Sequence, residues 1–203
     1  MARMTADRRR DTILDAAVVV ARRKGLGSTT VRDLADEMGS SNGLIHHYFE
    51  TMDDVLAAAF ERAAGEDLRV TADAVRAAPS PTAALAAFFG SYAPVDADRA
   101  FQLWLDAWAE AARRPAVQAT SRRLNLAWHD LLEDVIRDGV AVGEFRCPEP
   151  VSAAWRIMSM LDGLALQVVA HGDVIARSDV LGWTAATAER ELGLQPGALA
   201  PVG

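Results

Sequence analysis

Residues 29–49 contain two short segments with helical apolar spacing, separated by a turn at Gly39. Thr29 and Thr30 both offer an N-cap for the first segment, VRDLADEM, whose predicted inner face is Val31, Leu34, Ala35 and Met38. The second segment begins near Asn42 and is only seven or eight residues long, with Ile45 and Phe49 at i and i+4 on its inner side. Two short helices joined by a tight glycine-containing turn predict a helix-turn-helix.

The side chains left outside the second segment suit contacts with DNA. The second helix of a helix-turn-helix lies in the major groove, where its N-terminal and outward residues face bases and phosphates. Asn can pair with adenine, His and Tyr can donate to phosphates, Leu can contact a thymine methyl, and Gly permits close backbone approach. The predicted contact residues are Asn42, Gly43, Leu44, His46, His47 and Tyr48.

A plainer alternative is that these side chains only cap and solvate a surface helix. A shared metal ion does not explain the two histidines, because neighbouring side chains on a helix point about 100° apart, so His46 and His47 cannot both bind one ion from ideal rotamers. We therefore predict no metal site and favour the DNA interpretation.

The charge of the chain is distributed unevenly. The whole protein carries −7, whereas residues 1–50 hold eight Lys and Arg against seven Asp and Glu, so residues 51–203 carry −8. Binding to a polyanion is therefore expected only in the N-terminal quarter.

Helical periodicity continues through most of the chain, with few strand-length runs of β-branched residues. The sequence predicts an all-α protein, with an N-terminal three-helix helix-turn-helix domain followed by a C-terminal antiparallel bundle for ligand binding and dimerisation. The predicted domains are 1–50, 51–193 and a flexible tail at 194–203. The predicted helices span about 6–24, 31–38, 42–49, 53–78, 81–92, 97–113, 116–139, 150–171 and 178–192.

The predicted helix at 150–171 is apolar on nearly every side. A helix that is apolar on every side is buried. We expect one of its faces to pack on its own bundle and the other on a second subunit. With the last predicted helix it would form the four-helix interface of a homodimer. A two-fold dimer would place two recognition helices on successive major grooves and predicts a palindromic operator.

Asp162 interrupts this apolar helix, where a carboxylate requires a partner. One interpretation is structural, with Arg156 or Arg177 as the cation. The other is functional: a cationic or amine-containing effector binds Asp162 within a pocket built by Trp104, Trp108, Trp128 and Met158.

Several other classes of protein are disfavoured. The single cysteine, Cys147, cannot form an internal disulfide, and residues 1–12 lack the apolar stretch of a secretory signal. No apolar run reaches the length of a membrane span, so we expect a cytoplasmic protein without membrane contact. No phosphate-binding glycine loop, zinc-protease motif or nucleophile elbow is present, so neither an enzyme nor a cofactor is predicted. His129 and Asp130 are expected to be surface residues that do not interact directly.

The segment TTVRDLADEMGSSNGLIHHYFETMDDVL, residues 29–56, resembles the N-terminal signature of the TetR family of transcriptional regulators. ILDAAVVVARRKG, upstream of it, is similar to the family's first helix. The resemblance implies DNA contacts at Thr30 and Arg32 and along the recognition helix; Ser41, at the start of that helix, completes the predicted set.

Three positions depart from the family pattern: Ser40 replaces a valine, His46 a tyrosine, and Met52 a phosphate-binding lysine. The downstream stretches LWLDAWAEAARRPAV, VGEF and MLDGLALQ resemble the choline-responsive betaine-operon repressors. The resemblance implies a homodimeric repressor that a small molecule releases from double-stranded operator DNA. We expect the coupling to pass through helix 51–78, because it joins both parts of the chain. The alternative is a helical dimer that binds a small molecule or protein without DNA.

Overall fold

The computed structural model describes residues 5–92, 97–172 and 174–199. Within these ranges there are nine helices and no strand. The all-α prediction is therefore confirmed. The helices are α1 (Ala6–Lys24), α2 (Val31–Met38), α3 (Asn42–Tyr48), α4 (Met52–Ala77), α5 (Pro81–Gly90), α6 (Ala97–Ala111), α7 (Pro115–Ala141), α8 (Pro150–His171) and α9 (Arg177–Leu192).

Local capping sets the ends of the first helices. Gly25 ends α1, and its φ of 89° lies in the region that glycine tolerates best. Thr30, not Thr29, caps α2 in a capping box with Asp33. The Thr29 hydroxyl is buried and donates to the Gly25 carbonyl, 2.9 Å away. Gly39 ends α2 in the left-handed conformation, so the predicted turn between the two short helices is confirmed.

The chain forms two compact units. The first unit contains residues 5–66 and 102–124, and the second contains the described residues from 67–101 and 125–199. Three helices, α4, α6 and α7, contribute residues to both units. These units differ from the predicted boundary at residue 50, because α4 packs its first half with α1–α3. The functional boundary at residues 50 and 51 stays a prediction.

In the first unit, α1 to α4 bury a shared apolar core. Ile45 and Phe49 are buried in this core, as predicted, and Val31 and Met38 pack against its edge. The other buried side chains include Ile13, Ala17, Val20, Leu34 and Val55. Helix α3 has only seven residues and no side-chain cap, so its position depends on this packing rather than on its own helical stability.

In the second unit, α8 packs along α9. One face of α8 is buried through Ala153, Ala154, Ile157, Met158 and Leu161. On the surface of this unit, Trp155 of α8 is 40% exposed and Trp183 of α9 is 47% exposed. An apolar surface of this kind on two neighbouring helices is typical of a subunit interface. By length and hydropathy alone α8 could also cross a membrane, a test that core helices of soluble proteins also pass.

The second unit corrects two predictions, one about the C-terminal tail and one about His129. Residues 194–199 are not frayed: the carboxylate of Glu189 accepts hydrogen bonds from Gly197 N at 3.0 Å and Leu199 N at 2.9 Å. Residues 200–203 of the predicted tail lie outside the described residues. His129 is not a surface residue but is 4% exposed, and its Nδ1 lies 3.5 Å from Asp130 Oδ1.

The packing of Phe145 against Gly139 can be tested by substitution. A Cβ at Gly139, within α7, would overlap the Phe145 ring, which is buried. Overpacking of this kind costs about 1–3 kcal/mol, so Gly139→Ala should lower Tm in thermal unfolding. Gly90→Ala is the control, because a Cβ there meets open space. Equal Tm values for the two variants would contradict this packing.

Candidate DNA interface and effector site

The buried side of α3 determines which of its residues face outward. Ile45 and Phe49 anchor the helix, and the Arg10 guanidinium lies 4.5 Å from the centre of the Phe49 ring, within the range of a cation–π contact. The exposed residues are Asn42, Gly43, His46 and His47, whereas Leu44 and Tyr48 are half-buried. Tyr48 packs against the core and lies edge-on to the His47 ring at 5.0 Å, so it has a structural role besides any contact with DNA.

The remaining predicted DNA contacts lie at or next to the N-terminal ends of α2 and α3. Thr30 is exposed, but its hydroxyl is engaged with the Asp33 carboxylate at 2.7 Å. The Arg32 side chain is 85% exposed and only loosely paired with Asp36, at 3.9 Å, which leaves it able to reach a phosphate. Ser41 occupies the N-cap position of α3 without making a side-chain capping bond. Contacts of these three residues with the DNA backbone stay predictions.

Gly43 has no internal reason to be glycine. A Cβ at this position would meet only the Ser41 Oγ, 3.9 Å away, and the residue lies within α3 at an ordinary helical φ. Glycine inside a helix costs roughly 0.5–1 kcal/mol relative to alanine. The absence of a side chain on this exposed face therefore suits the close approach of something outside the chain.

A network of polar contacts that sequence reasoning missed holds the loop between α1 and α2 against α6. The Leu26 N–H donates to Asp106 Oδ2 at 2.9 Å, and the other Asp106 oxygen accepts from Gln102 at 3.0 Å. A Cβ at Gly27 would overlap the Glu110 carboxylate, so any larger residue there would require this side chain to move. No local pattern links a loop at residue 26 to a carboxylate eighty positions later.

Arg114 extends this network to the first turn of α4. Its guanidinium contacts Glu110 at 2.6 Å and also forms an ion pair with Asp53. The hydrogen bond from Arg114 is the main cause that lowers the pKa of Glu110. The i,i+4 spacing of Glu110 and Arg114 is readable in the sequence, but the contact with Asp53 is not.

Met52, which stands where the family has a lysine, is half-buried and packs against the core of the first unit. Its apolar side chain therefore takes part in packing rather than in a phosphate contact.

In the second unit, neither arginine proposed for Asp162 pairs with it. Arg156 forms a two-point contact with Glu191 at 2.8 and 2.7 Å. Arg177 pairs with Asp98 and donates to the Tyr92 carbonyl at 3.2 Å. Desolvation raises the pKa of Asp162 to about 7, and no hydrogen bond or ion pair to it is found among the described residues. The predicted ion pair between Asp162 and Arg156 or Arg177 is therefore wrong.

An aromatic cluster of Phe88, Tyr92 and Trp128 lies in the same unit as Asp162. The Trp128 ring is 5.7 Å from Phe88 and 6.0 Å from Tyr92. Burial and, secondarily, the charge of Asp162 raise the pKa of the Tyr92 hydroxyl. The buried indole N–H of Trp128 has no hydrogen-bond acceptor among the described residues. A buried donor without an acceptor is uncommon and points to a missing partner.

The predicted pocket residues are divided between the two units. Trp128, Met158 and Asp162 belong to the second unit, where Met158 is buried one turn before Asp162 on α8. Trp104 and Trp108 belong to the first unit, where Trp104 packs edge-on against Phe60 at 4.9 Å. Sequence reasoning missed Tyr92 and Phe88, because nothing local connects the end of α5 with α7 and α8.

A small cleft opens beside Tyr92 in the second unit. Its lining combines apolar side chains with one ion pair and consists of Tyr92, Asp98, Phe101, Ala165, Val168, Arg177, Val180 and Leu181.

Comparison with known proteins agrees with this arrangement. Residues 13–59 match the family "Bacterial regulatory proteins, tetR family", and residues 81–193 match "BetI-type transcriptional repressor, C-terminal". The chain is 27% identical over 169 residues to the transcriptional regulator YfiR of Bacillus subtilis, covering 78% of each protein. It is 27% identical over 173 residues to the regulator BetI of Paraburkholderia phymatum, covering 81% of this chain and 83% of that protein.

The fold is also similar to that of a transcriptional regulator from Saccharomonospora viridis solved in complex with choline. The TM-score is 0.82 at 22% sequence identity, covering 90% of this chain and 96% of the other. The TetR family consists of transcriptional regulators and not of enzymes. The helix-turn-helix, the helical second part and both family matches establish that the chain belongs to the TetR family of ligand-responsive transcriptional regulators, with a BetI-type C-terminal domain.

Proposed function

We propose that this protein is a cytoplasmic repressor that binds a palindromic operator as a homodimer and is released by a small cationic effector. The effector class is inferred from Asp162, a half-buried carboxylate whose pKa is raised by desolvation and which has no cationic partner among the described residues. A buried charge is costly unless it is paired, and a bound cation would supply the pair.

The aromatic cluster supports a cation with a bulky apolar surface. Aromatic rings attract quaternary ammonium groups through their π faces. Tyr92 and Trp128 supply two neighbouring rings, and the charge of Asp162 acts on Tyr92. The unpaired Trp128 N–H would suit a hydroxyl or carboxylate oxygen on the same ligand. Choline, bound by the Saccharomonospora viridis regulator, has this combination of groups and is the first probe to use. Trp104 and Trp108 stay predicted members of the site.

Helix α6 offers a route from effector to DNA. Its first residues, Asp98 and Phe101, line the cleft, and Asp106 further along the same helix holds the Leu26 loop before α2. A ligand that favours a shifted position of α6 would act on the helix-turn-helix through this hydrogen bond. The switch requires different effector affinities for the two conformers. This route adds to the predicted coupling through α4, which Arg114 joins at Asp53.

The proposal is tested by a mobility-shift titration with DNA flanking the gene, at two salt concentrations and with unrelated DNA as competitor. A complex that survives competitor and weakens with salt is expected of a specific operator-binding protein. If a stable dimer bound choline but no promoter DNA, the alternative of a helical binding module without DNA-binding activity would be supported instead.

The exposed face of α3 predicts which substitutions weaken binding to the operator. Asn42→Ala or His47→Ala should weaken operator binding roughly 5- to 150-fold, as expected for loss of about 1–3 kcal/mol per contact. Gly43→Ala should weaken binding too, although Tm should stay equal or rise because alanine favours helix. Asp134→Asn, at an exposed site on α7, is the control. Unchanged affinity in all three variants, with the dimer intact, would contradict the assignment of α3.

The role proposed for Asp162 predicts how choline binding depends on this side chain and on pH. Asp162→Asn should weaken choline binding at least tenfold while leaving operator affinity unchanged. Wild-type affinity should fall as the pH drops below about 7, because the carboxylate then takes up a proton. The variant should lose this pH dependence.

Thermal unfolding separates this role from a structural one. Because the pKa of Asp162 is raised in the folded state, its stabilising contribution is present at low pH and is lost as the pH rises through about 7. Asp162→Asn should therefore raise Tm above pH 7, with Asp138→Asn as the exposed control. A large fall in Tm would instead identify Asp162 as part of a structural ion pair.

The hydrogen bond between Asp106 and the Leu26 loop predicts how strongly the effector changes operator affinity. Asp106→Ala removes the acceptor of the Leu26 N–H, so the effector should lose much of its influence on DNA binding. Allosteric coupling typically changes affinity about 5- to 150-fold, and this ratio should fall towards unity in the variant. Operator affinity with and without choline gives the ratio, and Arg99→Ala, exposed on the same helix, is the control. An unchanged ratio would exclude this route.

A further inference from the structure

His129 is a buried histidine outside both proposed sites. Its ring stacks on Trp155, with centroids 4.3 Å apart and planes inclined by 29°. Its Nε2 lies 3.3 Å from the carbonyl oxygen of Val151 in the first turn of α8. A carbonyl oxygen only accepts hydrogen bonds, so Nε2 must carry the proton in this contact. In the neutral ring, the lone pair is therefore on Nδ1.

Two carboxylates face this lone pair. Although His129 and Asp130 are adjacent on α7, their side chains converge rather than diverge. Asp130 Oδ1 is 3.5 Å and Glu133 Oε2 is 3.7 Å from Nδ1, and the three atoms lie within 4.8 Å of one another. Three acceptors without a cation between them repel one another. Ligand atoms on a tetrahedral Zn²⁺ with bonds of about 2.0–2.2 Å are separated by roughly 3.4 Å, close to the two distances from Nδ1.

The groups around these atoms have the arrangement found at metal sites. A ligating histidine commonly donates its second ring N–H to a backbone carbonyl, as His129 does to Val151. A ligating carboxylate is commonly held by a further hydrogen bond. Arg137 supplies it by binding Glu133 Oε1 at 2.6 Å, which leaves Oε2 for the ion.

We propose that His129 Nδ1, Glu133 Oε2 and Asp130 Oδ1 bind a divalent transition-metal ion of the Zn²⁺ type. An imidazole with two carboxylates favours Zn²⁺ and its neighbours over Mg²⁺ and Ca²⁺, which prefer all-oxygen sites. The Asp130 side chain is 71% exposed, so it gives solvent access to a site whose imidazole is buried. Three protein ligands on a tetrahedral ion would leave the fourth position to water.

Bound metal would stabilise the contact between α7 and the start of α8. The ion would fix the His129 ring, and through it the hydrogen bond to Val151 and the stacking on Trp155. Since Trp155 contributes to the exposed apolar surface of α8, the site would also order part of the proposed dimer interface. This inference does not depend on the identity of the effector or on DNA binding.

The test titrates chelator-treated full-length protein with Zn²⁺ by calorimetry, and with Co²⁺ by visible absorption, which reports tetrahedral coordination. We expect a single equivalent per chain, and a rise in Tm of roughly 5–10 °C at a Zn²⁺ concentration about 100 times Kd. Glu133→Gln and Asp130→Asn should each weaken binding at least tenfold and remove most of the rise in Tm. Asp134→Asn on the same helix should do neither.

The isosteric variants are used because His129→Ala would leave a cavity beneath Trp155 and could unfold the chain. Absence of a Zn²⁺ complex in the folded wild type would overturn the proposal. Full binding by both Glu133→Gln and Asp130→Asn would also overturn it, because the ion would then lie elsewhere in the chain.

Discussion

The packing of Ile45 and Phe49 into the core of the first unit decides what α3 can present to DNA. A seven-residue helix is not stable alone, so its orientation comes from those two side chains and from α1, α2 and α4 around them. Once they are buried, Asn42, Gly43 and the two histidines must point outward. The DNA-binding proposal therefore rests on hydrophobic packing first and on hydrogen-bonding chemistry second.

Two aspartates in this protein illustrate opposite electrostatic situations. Asp106 is held by the Leu26 N–H and by Gln102, so its charge is satisfied within the first unit. Asp162 lies in a largely apolar setting where desolvation raises its pKa to about 7. A satisfied carboxylate positions a loop, whereas an unsatisfied one favours binding of a cation from outside. The switch we propose uses the second aspartate to sense the effector and the first to transmit its binding.

Local patterns predicted the helices well because caps and apolar spacing act over a few residues, as at Thr30 and Gly39. The outward face of α3 followed from the same spacing. Contacts between distant segments were not predictable: neither the partners of Arg156 and Arg177 nor the meeting of Leu26 with Asp106 has a local signature. The burial of His129 was missed for the same reason, since its cover comes from α8.

The central claim is that a cation bound at Asp162 releases the protein from DNA. The most direct measurement is displacement of labelled operator by choline and by its neutral carbon isostere, 3,3-dimethylbutan-1-ol, which has the same shape without the charge. The account predicts that choline releases the operator at concentrations at least ten times lower than the isostere requires. Equal potency of the two compounds, or no release by any quaternary ammonium compound tested beside them, would contradict it.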